Sequence, residues 1–121
     1  MLIKGLYEIR SFDVIDNSLK AIIYVNEEHK IFAGHFPNNP VMPGVCMIQI
    51  IKELTERALN AKLFMSKATN VKFMALINPV ENPELLVDIQ IDEEKDDYRL
   101  KSTFRFDNMI ALKFSGVFNI T

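Results

Sequence analysis

Gly34-His35-Phe36-Pro37-Asn38-Asn39-Pro40-Val41-Met42-Pro43-Gly44-Val45 is the stretch on which the fold of this chain turns. It holds one of the chain's two histidines, and three of its five prolines stand at positions 37, 40 and 43. Each proline fixes φ and lacks an N–H, so neither a regular helix nor a central strand can run through 34–42. Pro43 suits the start of a helix, where a missing N–H costs little. From Pro43 to about Asn60 the pattern is helical. At about 100° per residue, Met47, Ile48, Ile50, Ile51, Leu54, Ala58 and Leu59 form one wide apolar arc. Gln49, Lys52, Glu53 and Glu56 lie opposite. The arc is wider than a surface helix needs, which predicts a sheet wrapped around this helix.

Working outward, Leu19 to Val25 alternates only loosely, and Ile22-Ile23 predict a strand buried on both faces. Asn26 to Met42 reads as one long irregular stretch, a length that tends to carry function in a compact domain. Beyond the helix the chain reads as strand. Val71, Phe73 and Ala75 alternate with Lys72 and Met74. Asn78-Pro79 and Asn82-Pro83 are turn signals. Leu85, Val87, Ile89 and Ile91 alternate with Glu84, Asp88, Gln90 and Asp92, the pattern of a half-buried strand. Glu93 to Asp97 predicts a charged hairpin loop. Tyr98, Leu100, Phe104 and Phe106 then alternate with Arg99, Lys101, Thr103 and Arg105. Asp107-Asn108 predicts a two-residue turn, because both residues tolerate left-handed backbone angles. Ile110, Leu112, Phe114 and Phe118 mark a last strand. The order is strand, strand, loop, helix, four strands, which is α+β: an antiparallel sheet with one long helix on one face.

The 121 residues suit one domain with a small core, which an oligomer would help. The formal net charge is −2 and there is no Lys/Arg run, so nucleic acid is not an expected partner. No run approaches the roughly 18 apolar residues of a membrane span, and Met1 to Ser11 lacks the apolar stretch of a secretory signal. One cysteine, Cys46, excludes an internal disulfide, and the cytoplasm is the expected compartment. Two histidines and one cysteine give no metal-site spacing.

The stretch from Gly34 to Val45 resembles the 3-hydroxyacyl-acyl-carrier-protein dehydratases, whose pattern is G-H-F-P-x-x-P-x-x-P-G-V, then three residues, then Glu or Asp. The chain matches that pattern from Gly34 to Val45 without a break, and shares the family's layout over nearly its whole length. The resemblance implies a single hot-dog domain over 1–121: a six-stranded antiparallel sheet wrapped around one long central helix. It implies dimers, trimers of dimers or a heterodimer with a homologous subunit, with active sites built across the interface. It implies an acyl-carrier protein bearing an acyl-phosphopantetheine thioester as partner, no membrane, and no cofactor.

The resemblance also assigns roles. Dehydration removes the α-proton of a 3-hydroxyacyl thioester and expels the 3-hydroxyl. His35 is by resemblance the base, a task that suits a neutral imidazole near pH 7. The Gly44 N–H at the helix start becomes the donor to the thioester oxygen as it gains charge, with Val45 and Phe36 beside it. Met42, Met47 and Ile48 are acyl-tunnel candidates, and plain core is the other reading of all three.

The family acid falls fourteen residues after the histidine, and there the chain has Gln49. An amide hydrogen-bonds but is far too weak an acid to donate a proton, and losing one general acid costs on the order of 10²- to 10⁴-fold in rate. Three accounts stay open. His35 does both proton transfers while Gln49 orients the hydroxyl; or Glu53 substitutes, from about 40° around the helix and roughly 6 Å along it; or catalysis is lost, leaving an acyl-binding subunit beside an active homologue. A solvated polar-face residue is the bland reading of Glu53. His29 is expected to be exposed and Cys46 to be a small buried hydrophobe. A hot-dog thioesterase ranks last, because it needs a carboxylate where Gln49 stands. Docking of an acidic carrier protein calls for a basic patch, with Lys30, Arg57, Lys62, Lys67 and Lys72 as candidates.

Overall fold

The helix predicted from the apolar arc forms as α1, Gly44–Leu59. Pro43 is its N-cap, and Asn60 ends it in the left-handed conformation at φ 52°. That conformation suits asparagine better than most side chains. The Glu56 carboxylate accepts from the Leu63 backbone N–H at 2.7 Å, tying the helix end to the next strand. Cys46, Met47, Ile50, Ile51, Leu54 and Thr55 are buried. Thr55 is the polar member of this face, and its hydroxyl bonds back to the Ile51 carbonyl at 2.8 Å.

The computed structural model describes residues 4–33 and 40–121, so Gly34 to Asn39, with His35 and Phe36, lie outside the described residues. Two strands precede the helix, β1 (Tyr7–Ile15) and β2 (Ser18–Val25), and four follow it. These are β3 (Leu63–Phe73), β4 (Glu84–Glu94), β5 (Asp97–Phe106) and β6 (Met109–Ile120). They form one sheet in the order β1-β2-β4-β5-β6-β3, with every pairing antiparallel. The expected six-stranded hot-dog arrangement is therefore present. No described helix is long and apolar enough to cross a membrane.

The core lies between α1 and the sheet face turned toward it. Leu19, Ala21 and Ile23 of β2, Leu85, Val87 and Ile89 of β4, Leu100 and Phe104 of β5, and Leu112, Phe114 and Phe118 of β6 are all buried there. Strict alternation buries one face of each strand and leaves the other to polar residues.

Three expectations need correction. The β2 strand is not buried on both faces: Leu19, Ala21, Ile23 and Val25 are buried while Ile22 is only half-buried, because α1 covers a single side. The strand after the helix begins at Leu63 and ends at Phe73, so Ala75 falls outside it. β3 is a sheet edge with mostly exposed side chains, so its sequence carries little alternation. The charged hairpin narrows to Lys95-Asp96, because Glu94 and Asp97 still pair across the ladder. The Asp107-Asn108 turn forms as expected, with Asp107 at φ 54°.

Candidate active site

The polar side of α1 carries a connected group of side chains. The spacing of four places Gln49 and Glu53 one turn apart on the same side. The Gln49 amide nitrogen donates to Glu53 Oε2 at 3.0 Å. Glu53 Oε1 accepts from the Tyr7 hydroxyl at 2.8 Å, across from the start of β1. All three residues are half-buried.

This geometry overturns the bland reading of Glu53. It is half-buried and takes two side-chain hydrogen bonds, and the roughly 6 Å of helix rise does not separate it from Gln49, because both side chains extend toward each other. A carboxylate only accepts, so it also orients the amide: the –NH2 faces Glu53 and the carbonyl oxygen faces away. Gln49 is thereby held as an oriented hydrogen-bonding group, and no proton donor stands at its position. Nothing in the spacing of the sequence pointed to Tyr7, since only strand pairing brings β1 beside α1.

Burial, followed by the hydrogen bond and charge of Glu53, pushes the Tyr7 phenol far above its ordinary value. Its folded value exceeds its unfolded one, so the stabilisation is complete below about pH 10 and is lost as pH rises beyond it. Tyr98 is raised in the same direction, by burial and then by Glu93. A Tyr7→Phe variant is accordingly expected to lose less stability between pH 9 and 11 than the unmodified protein, read from thermal melts. An identical alkaline decline in both would show that Tyr7 is not held this way.

At the other end of the helix face, Pro43 has no side-chain acceptor and makes no cap bond. The Gly44 and Val45 N–H groups are therefore not claimed by the capping residue. A Cβ on Gly44 would lie 2.6 Å from Phe73 Cε1, so a larger residue there would require that exposed ring to shift. Val45 points outward, 76 % exposed. Met42 and Met47 are buried in the core and Ile48 packs against it half-buried, so the described residues place them as core.

The remaining expectations divide. Cys46 is buried, and burial pushes its thiol up, as a small core hydrophobe requires. His29 is not freely exposed. It caps the short turn Lys30–Phe32, with Nδ1 accepting from the Ile31 N–H at 3.1 Å and Nε2 2.9 Å from the Lys4 carbonyl oxygen. Arg57 stacks over the Phe12 ring at 5.2 Å. Lys30, Lys62, Lys67 and Lys72 are exposed. Among the described residues no group of His, Cys, Asp and Glu could hold a metal ion. His35 and Phe36 lie outside those residues.

Known proteins share this architecture and sequence. A 3-hydroxyacyl-acyl-carrier-protein dehydratase FabZ from Wolbachia pipientis is 32% identical over 80 residues, covering 60% of this chain and 56% of its own. The corresponding enzyme from Rickettsia massiliae is 27% identical over 105 residues, covering 79% and 71%. The alignment thus spans little more than half the length of the first of these relatives. Among solved structures, the dehydratase heterocomplex ApeI:P from Xenorhabdus doucetiae superposes with TM-score 0.80 at 24% identity, covering 93% of this chain and 96% of that one. A hypothetical thioesterase with coenzyme A from Streptococcus pneumoniae gives 0.69 at 10%, covering 95% and 85%. The model of the ApeI-like dehydratases matches residues 12–116, and with the six-stranded sheet around α1 this makes the chain a member of that hot-dog dehydratase family.

Proposed function

We propose that this protein eliminates water from 3-hydroxyacyl thioesters carried by an acyl-carrier protein. His35 takes the α-proton, and the Gly44 N–H donates to the thioester oxygen, with Val45 and Phe36 as further substrate-binding residues. The Cα–H bond breaks to the imidazole, the Cα–Cβ double bond forms, and the 3-hydroxyl leaves as water once it receives a proton. Gln49 does not supply that proton. Held by Glu53 at 3.0 Å, it presents its carbonyl oxygen to the leaving hydroxyl and orients it. The imidazolium formed in the first step then returns its proton to that hydroxyl. The observation that carries this reading is the Tyr7–Glu53–Gln49 chain: Tyr7 of β1 fixes Glu53, and Glu53 in turn fixes the Gln49 amide one helical turn away. The names of the curated relatives support the substrate class.

A second reading has its own support. The chain acts as one subunit of a pair and relies on a homologous partner for the acid. The solved neighbour is a heterocomplex, and among the described residues one side of β3, an eleven-residue edge strand, has no pairing strand. Exposed Phe64 and Phe73 on that strand, with Met74 just beyond it, favour assembly through this edge.

The test follows enoyl formation from a 3-hydroxyacyl-carrier substrate, with the protein alone and mixed with a homologous dehydratase subunit. Turnover alone that His35→Ala reduces by about 10²- to 10⁴-fold, as for loss of an acid–base group, supports the first reading. Turnover only in the mixture supports the second. Turnover that persists in His35→Ala removes the mechanism.

A further inference from the structure

Three consecutive carbonyls ahead of β1 are each taken by the turn that follows β2. The Leu6 carbonyl accepts from the Asn26 backbone N–H at 2.8 Å, and the Gly5 carbonyl from the Asn26 side-chain amide at 3.0 Å. The Lys4 carbonyl oxygen lies 2.9 Å from His29 Nε2. The turn is folded so that His29 reaches back. Asn26 Oδ1 accepts from the Glu28 N–H at 3.0 Å, and the Asn26 carbonyl accepts from the His29 N–H at 3.1 Å. On the other side of the clasp Gly5 stands at φ 76°, a conformation that glycine adopts without steric cost.

The partners of the His29 ring settle where its proton sits. A backbone N–H only donates, so Nδ1 accepts from Ile31. A carbonyl only accepts, so Nε2 carries the proton and donates to Lys4. One rigid ring therefore joins the turn Lys30–Phe32 to the chain ahead of β1. The residue this chain runs into is Tyr7. It is the first residue of β1, and it pairs with Val25 in the outermost described pair of the ladder. β1 is an edge strand with a single neighbour, β2. The end of such a strand frays unless something ties it down. The Tyr7 hydroxyl has to stay 2.8 Å from Glu53 Oε1 for that carboxylate to be fixed and to orient the Gln49 amide. The clasp lies where fraying would first draw Tyr7 away.

We infer that His29 is a positioning residue: by donating to the Lys4 carbonyl it fixes the chain ahead of Tyr7 and, through Tyr7 and Glu53, the orientation of Gln49. His29 acts through Tyr7 and not on the reacting atoms. Its consequence for turnover rests on the elimination proposed above, whereas its hold on Tyr7 does not.

The test reads Tyr7 directly, by NMR of the full chain labelled with ¹³C at the tyrosine ζ-carbons, the Tyr7 signal being the one that Tyr7→Phe removes. Glu53→Ala gives the position of that signal when the carboxylate partner is gone. His29→Ala should move it part of the way there. His29→Gln should restore it, because the glutamine amide nitrogen can stand where Nε2 stood and donate to Lys4. His29→Asn should not, because its shorter side chain keeps an acceptor for the Ile31 N–H but does not reach Lys4. In the assay of enoyl formation, His29→Ala should lower kcat by roughly 10- to 100-fold, the order of loss a displacement of about 1 Å produces. KM should stay within about twofold, and His29→Ala with Tyr7→Phe should be no slower than Tyr7→Phe alone, as for two residues acting in one chain. If His29→Ala fails to fold by circular dichroism, the contrast between His29→Gln and His29→Asn takes its place. A Tyr7 signal that His29→Ala leaves unmoved, or that asparagine restores as well as glutamine, overturns the inference. Losses in kcat that multiply in the double variant overturn it equally. A chain that forms no enoyl product removes the proposed elimination, and the Tyr7 signal then decides the clasp by itself.

Discussion

Replacing Gln49 with glutamate is expected to raise enoyl formation by about 10²- to 10⁴-fold, the range over which a positioned general acid acts. The reason lies in what already stands beside it. The Gln49 amide nitrogen is 3.0 Å from Glu53 Oε2, so a glutamate there would face a second carboxylate at contact distance. Two such groups ionise one after the other, and the second proton is held to a higher pH than an isolated glutamate would hold it. That proton is the donor the 3-hydroxyl lacks. The same coupling predicts a pH signature. The pair's folded pKa is raised above the unfolded glutamate value of about 4.3, so the variant keeps its stability at low pH and loses it as pH rises through the folded value. Thermal melts should therefore show Gln49→Glu further below the unmodified protein at pH 8 than at pH 5. An unchanged rate together with an equal melting gap at both pH values would sink the argument. A gain that needs a homologous subunit would favour the paired reading instead.

Phe104→Ala is expected to cost about 3–5 kcal/mol, the usual penalty for emptying an aromatic site in a core. Phe104 is 0 % exposed at the middle of β5, paired with Val87 on one side and Leu112 on the other, on the face that covers α1. A domain of this size has roughly 5–15 kcal/mol in total, so the variant should stand near the limit of folding. The neighbouring Thr103→Ala, on the outer face, should stay within about 0.5 kcal/mol. Urea unfolding at constant slope measures both. Equal midpoints for the two variants would mean that the two faces of the sheet are not divided as described.

Much of this was legible along the chain. The apolar arc from Met47 to Leu59 and the alternation from Leu85 to Ile91 report a neighbour on one side only, and periodicity alone carries that information. Pro43 and Asn60 bounded the helix through their backbone preferences. The Ile22-Ile23 pair misled because two adjacent apolar residues suggest two buried faces, while β2 has only one covered side. β3 was half-hidden because an edge strand buries little and so shows little pattern.

By itself, then, the sequence determined the α+β class, the helix, the family motif from Gly34 to Val45 and the absence of an acid at Gln49. Those properties are local: they rest on residue type, spacing and backbone preference. Only the tertiary structure decided that Glu53 is shared by Tyr7 and Gln49, and that Lys20, Lys72, Lys101, Arg105 and Lys113 occupy one face. Tyr7 stands 46 residues from Glu53, and the five cations come from four strands whose pairing no local pattern encodes. Strand register sets which distant side chains become neighbours, and a one-residue slip would send each of them to the other face.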